Sequence, residues 1–116
     1  MILRRDLVAA LSATALAAGL TLTAASPASA ASCPSSASPV IPGAKAHWRL
    51  SCSGNTLKVY GWVEDTRADG DCAFVFAHAG NGGHDSADAC GWGARTNFDM
   101  VFTRTKTAEV RLQLEN

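Results

Sequence analysis

The chain has 116 residues, with ten basic and ten acidic side chains, ten glycines and four cysteines. Balanced charge leaves no electrostatic case for a nucleic-acid partner or an anionic membrane surface. A chain of this size makes one small domain, whose modest core ordinarily needs covalent staples.

In chain order, residues 1–30 read as a secretory signal peptide. Arg4 and Arg5 give a positive start, residues 7–25 form an apolar run rich in Ala and Leu, and S-P-A-S-A ends it with small residues at Ala28 and Ala30. Cleavage is expected after Ala30. A membrane anchor would carry a charged stop where Pro27 and small residues stand, and export of a folded chain through the adjacent arginines fits poorly with disulfides. Removing thirty residues from 116 leaves 86, carrying eight basic and nine acidic side chains. The expectation is a secreted, extracellular domain with no membrane association after the leader is removed.

Residues 31–44 form a Pro/Ser-rich arm, with Cys33 as its tether. The domain proper is expected over 45–116. K-A-H-W-R-L-S-C alternates, with Trp48, Leu50 and Cys52 on one side and His47, Arg49 and Ser51 on the other, the period of a half-buried strand. S-G-N at 53–55 is turn chemistry. The next strand turns Leu57, Val59, Gly61 and Val63 one way and Lys58, Tyr60, Trp62 and Glu64 the other, so the two make a hairpin.

Residues 63–76 then read V-E-D-T-R-A-D-G-D-C-A-F-V-F, an acidic run between apolar segments. Asp69-Gly70 is a strong turn pair, and Asp65 and Thr66 can bond to nearby amides, so the run is expected to set the register between the second strand and the next. That next strand, C-A-F-V-F-A-H-A, is apolar on both faces and is the candidate for a central position. Residues 80–93 are glycine-rich and are expected as one long loop. Alternation returns through Phe98, Met100 and Phe102, and again through Val110, Leu112 and Leu114. No helical period appears. The expected fold is all-β, a small antiparallel β-sandwich or barrel stapled by disulfides.

Four cysteines in a short exported chain imply two bridges, and spacing leaves three pairings open. The sequential one, Cys33 with Cys52 and Cys72 with Cys90, is preferred because each closes a loop of roughly twenty residues, contributing on the order of 3 kcal/mol in the chain-entropy account. No C-x-x-C pair supports zinc instead.

The run V-E-D-T-R-A-D-G at 63–70, followed by a glycine-rich segment and a terminal A-E-V-R-L-Q-L strand, resembles a short secreted actinobacterial β domain in which V-x-D-T-x-A-D-G joins two strands. The likeness covers about residues 57–114. It implies export and a β fold, and it transfers no catalytic residue, that group having no established activity. A second likeness is to small β-sandwich inhibitors of α-amylase from streptomycetes, which carry two disulfides and a Trp-Arg-Tyr triplet between their first two cysteines. Here His47-Trp48-Arg49 is followed by Leu50 where the tyrosine would stand, and the third and fourth cysteines are closer together.

Four sets of residues are candidates for chemistry. Asp65, Asp69 and Asp71, with Glu64, offer oxygens for calcium, but the D-x-D-x-D-G spacing with a distal glutamate is absent, and no metal or cofactor is expected. His78, His84, Asp85 and Asp88 lie within eleven residues, and Ser86 is nearby. No G-x-S-x-G or H-E-x-x-H surrounds them, and the expectation is a protein that is not an enzyme. Tyr60 and Trp62 share the strand face opposite Leu57, Val59 and Val63. In so short a chain a second sheet is expected to cover that face; left open, it is a stacking platform for sugar rings. Trp92, in the glycine-rich segment, is the best candidate for exposure. The function that follows is non-catalytic binding of an extracellular glycan or cell-surface ligand through Trp92, Tyr60 and Trp62, with a protein ligand such as a secreted hydrolase as the alternative.

Overall fold

A computed structural model describes residues 30–116. The predicted leader, apart from Ala30, lies outside the described residues. Nine strands are described: β1 (Ala30–Ser32), β2 (Ser35–Ala37), β3 (Val40–Ile41), β4 (Ala44–Ser53), β5 (Thr56–Asp65), β6 (Cys72–Ala79), β7 (His84–Cys90), β8 (Arg95–Thr103) and β9 (Thr107–Glu115). They form two antiparallel sheets, one ordered β1-β9-β6-β7 and the other β2-β4-β5-β8, with β3 also paired to β4. The expected all-β sandwich is what the chain forms.

The two inner faces divide the packing unequally. One sheet supplies bulk through Trp48, Leu50, Leu57, Val59, Val63, Met100 and Phe102, while the other is faced with Ala73, Ala77, Ala79, Ala89 and Ala108 beside Val75, Val110 and Leu112. Large side chains on one layer are set against small ones on the other, which lets the two layers pack closely. The strand β6 follows from this: its alanine and valine face turns inward, and Phe74 and Phe76 lie half-buried on the outside, their rings 5.5 Å apart. It runs between β9 and β7, the interior position its two apolar faces predict.

The predicted β4–β5 hairpin forms, with Leu50 facing Val59 and Ser53 facing Thr56 across Gly54-Asn55. Gly54 takes φ 61°, as the first central residue of a two-residue hairpin turn does. Within this hairpin Gly61 is fixed by proximity. It stands between Trp48 on β4 and Phe98 on β8, and a Cβ there would sit 1.9 Å from the His47 carbonyl oxygen.

Three expectations need correction. The acidic run does not close a hairpin: β5 lies in one sheet and β6 in the other, so residues 66–71 carry the chain across the sandwich. Turn residues reverse the chain equally well within a sheet or between sheets, and they say nothing about pairing. Residues 80–93 are not one loop, since β7 occupies seven of them, pairing with β6 and sending Ala87 and Ala89 toward the core. Two alanines between glycine-rich turns carry too little hydrophobic contrast to reveal a strand. The face bearing Tyr60 and Trp62 is not covered by the second sheet, which packs on the Leu57, Val59 and Val63 side.

Residues of the arm are paired into both sheets, β1 to β9 and β2 and β3 to β4. The disulfides join Cys33 to Cys52 and Cys72 to Cys90. The first ties the arm to the end of β4, and the second links directly opposed residues of β6 and β7. Among the described residues no helix is long and apolar enough to cross a membrane.

Candidate functional site

Trp92 sits between β7 and β8 with 74% of its surface exposed. Gly91 and Gly93 flank it with φ 100° and 84°, values only glycine adopts without strain, so the chain makes a tight reversal with the indole at its tip. What holds this tip is Asp65, the last residue of β5, only 1% exposed. Its Oδ2 accepts the Gly91 N–H at 2.8 Å and its Oδ1 accepts the Arg67 N–H at 3.1 Å. Its backbone closes the bracket: the Gly93 N–H donates to the Asp65 carbonyl at 2.8 Å, and the Asp65 N–H donates to the Ala94 carbonyl at 3.0 Å. The Cys72–Cys90 bridge fixes the chain one residue before Gly91. A large apolar ring is thus projected into solvent on backbone anchored from both ends.

Asp65, expected to bond nearby amides, does so from a buried position, which a reading of the run as exposed acids does not anticipate. Strand alternation does contain the signal, because residues 57, 59, 61, 63 and 65 share the inward face. A buried carboxylate must be satisfied by hydrogen bonds, and two backbone amides do so here. Asp69 also works on the backbone, its Oδ1 accepting the Asp71 N–H at 3.0 Å. Among the described residues the one group of three metal-capable side chains whose donor atoms converge within 4.8 Å is Cys72, Asp88 and Cys90, and its sulfurs are committed to the disulfide.

The outer face of the β4-β5-β8 sheet is a lattice of polar and aromatic residues. Cross-strand rows place Lys45, Glu64 and Arg95 together, then His47, Trp62 and Asn97, then Arg49, Tyr60 and Asp99. The Arg95 guanidinium lies 3.7 Å from the Trp62 ring centroid and is held there by Glu64, whose Oε1 accepts from Nε at 2.9 Å and Nη2 at 2.7 Å. On its other flank Trp62 has the His47 ring, 6.4 Å away and itself bonded to Ser38 at 2.7 Å. Trp62 is therefore outward but partnered, and its ring is already engaged. Tyr60 is more open at 36% exposed, with the Lys58 ammonium 5.9 Å from its centroid and 3.3 Å from Asp99. Arg49, opposite Tyr60, is exposed, and Trp48 beside it in sequence is buried in the core.

The histidine group does not assemble as a base with an orienting acid. His78 and His84 face each other across β6 and β7. Asp85 stands on the opposite face of β7, and its Oδ1 accepts a hydrogen bond from the Ser86 N–H at 2.8 Å. Comparison with protein-family models, with curated proteins and with solved structures finds no match.

Proposed function

We propose that this chain is an exported, non-catalytic binding domain that recognises an extracellular or cell-surface polysaccharide, with Trp92 as its principal contact. The observation that carries the proposal is the presentation of Trp92. An isolated tryptophan three-quarters exposed costs solubility, and three hydrogen bonds through Asp65, to Gly91, Gly93 and Ala94, hold its backbone in that position. Pre-ordering the contact residue lowers the entropy lost on binding, and an indole face is suited to stacking on the apolar faces of sugar rings. Tyr60 supplies a second open ring. It lies four residues along β5 from Glu64, the residue paired with Arg95 near the Trp92 turn, so a ligand touching both rings spans at least roughly 13 Å along the strand. That reach describes an oligosaccharide chain rather than a single sugar. Trp62, capped by Arg95, serves as the floor between them. Export belongs to the same proposal and rests on the leader and on the two disulfides, which suit an oxidising compartment.

The second reading is a protein ligand, favoured by Arg49 standing directly across from Tyr60 on the open face, since arginine and tyrosine are the residues that most often dominate protein interfaces. Retention of the oxidised domain on insoluble polysaccharides and peptidoglycan, with Trp92→Ala alongside, distinguishes the two. Retention on one matrix that Trp92→Ala abolishes is expected. Absence of retention on every matrix refutes the glycan reading and leaves the protein ligand, sought among secreted hydrolases.

A further inference from the structure

The outer face of the other sheet carries an arrangement that the glycan reading does not use. His84 on β7 is directly opposite His78 on β6, and His78 is directly opposite Glu109 on β9. Residues opposed in register project to the same side of a sheet, so the three side chains form one row across three adjacent strands. The imidazole centroids are 6.0 Å apart with an interplanar angle of 29°. A cavity of about 400 Å³ opens beside the row, with His78, Gly80, Thr107, Glu109 and Arg111 in its lining.

We propose that His78, His84 and Glu109 bind a divalent transition-metal ion of the zinc, copper or nickel type. Two imidazoles with one carboxylate are the donor set these ions prefer, whereas calcium and magnesium require oxygen ligands throughout. Two imidazoles sharing an ion about 2.1 Å from each nitrogen in tetrahedral geometry have centroids roughly 5 Å apart. The three donor groups do not converge as placed, and closing the imidazole pair from 6.0 Å onto a shared ion with Glu109 takes rotation of all three side chains. Both histidines and Glu109 are exposed, so nothing packed resists that rotation.

The backbone beneath the pair is firm. The β6–β7 turn is closed by the Ala79 N–H donating to Gly83 at 2.7 Å, and the Asn81 side chain pins it to the Thr103 carbonyl at 2.6 Å. The pair is thus presented at fixed spacing, which limits the ordering cost to side-chain torsions. Arg111 is the positive neighbour, two residues from Glu109 on the same face and opposite Phe76. Its charge opposes a cation, so affinity comes from the imidazoles, and micromolar rather than structural-zinc strength is expected.

The test is titration calorimetry of the oxidised 31–116 domain, with any affinity tag removed, against Zn²⁺ and Cu²⁺ near neutral pH. One ion per chain is expected, with His78→Ala and His84→Ala each weakening binding by roughly tenfold or more. Glu109→Gln weakens it less. His47→Ala, on the opposite sheet, leaves it unchanged. Because the three residues are exposed, circular dichroism melts of the variants should match wild type, so lost binding is separable from lost fold. Absence of heat with either ion, or binding that survives the double histidine variant, overturns the proposal. So does binding that depends on His47.

Discussion

Replacing Asp65 isolates the bracket that holds the Trp92 turn. In Asp65→Ala two charge-assisted hydrogen bonds disappear, those from the Gly91 and Arg67 amides. A hydrogen bond to a charged group contributes about 1.5–3 kcal/mol, so the pair sets an upper range of about 3–6 kcal/mol. Gly91 and Arg67 are themselves exposed, and water reaching their freed amides recovers part of this. A net loss of about 3 kcal/mol is expected, which for a domain of this size lowers Tm by roughly 12–24 °C. Asp65→Asn keeps the shape but sets an NH₂ group against one of the two donors, and it should cost nearly as much. Thermal unfolding followed by circular dichroism, with both disulfides intact, reads the loss. Asp69→Asn, in an exposed turn, is the control and should stay within about 1 kcal/mol of wild type. If Asp65→Ala melts within a few degrees of wild type, the carboxylate does not brace the turn and the rigidity argument for Trp92 fails.

Gly61→Ala should cost about 3 kcal/mol, the upper end for overpacking, because the added methyl meets the backbone oxygen of His47 rather than a movable side chain; urea unfolding within 0.5 kcal/mol of wild type, an order-of-magnitude threshold, would contradict this. Arg95→Ala removes a cation–π contact and a half-exposed ion pair with Glu64, for a combined loss of about 1 kcal/mol. The same substitution uncovers Trp62, so its fluorescence should change while retention on polysaccharide survives; loss of retention would make the sheet face, rather than Trp92, the principal contact.

The β4–β5 hairpin, β8 and β9 are plain in the sequence because their alternation pairs large apolar residues with charged ones. Trp48 and Leu50 against Arg49, and Val110 and Leu112 against Glu109 and Arg111, leave no doubt about which face turns inward. The strand β7 escapes notice for the opposite reason, its inward residues being Ala87 and Ala89, small side chains in the same core as Phe102 and Met100 of the facing sheet. Complementarity between sheets is a property of the packed pair and is not visible in either strand alone. The passage through 66–71 is similar: Asp69 and Gly70 announce a turn, and only the long-range pairing of β6 with β9 shows that the turn crosses the sandwich. At the candidate site, exposure of Trp92 follows from its glycine neighbours. The partnering of Trp62 by Arg95 depends on a register between β5 and β8 across 33 residues of chain and has no local signature.

The central claim is that Trp92 is the ring a polysaccharide covers. The chain has three tryptophans, of which Trp48 is in the core, Trp62 is capped and Trp92 is open. Iodide quenching of tryptophan fluorescence therefore reports mainly on Trp92 in the free domain. With a soluble oligosaccharide from the matrix that retains the protein, quenching should fall to the level of a Trp92→Phe variant. Quenching that stays unchanged at saturating oligosaccharide would show that the ligand sits elsewhere and would contradict the account.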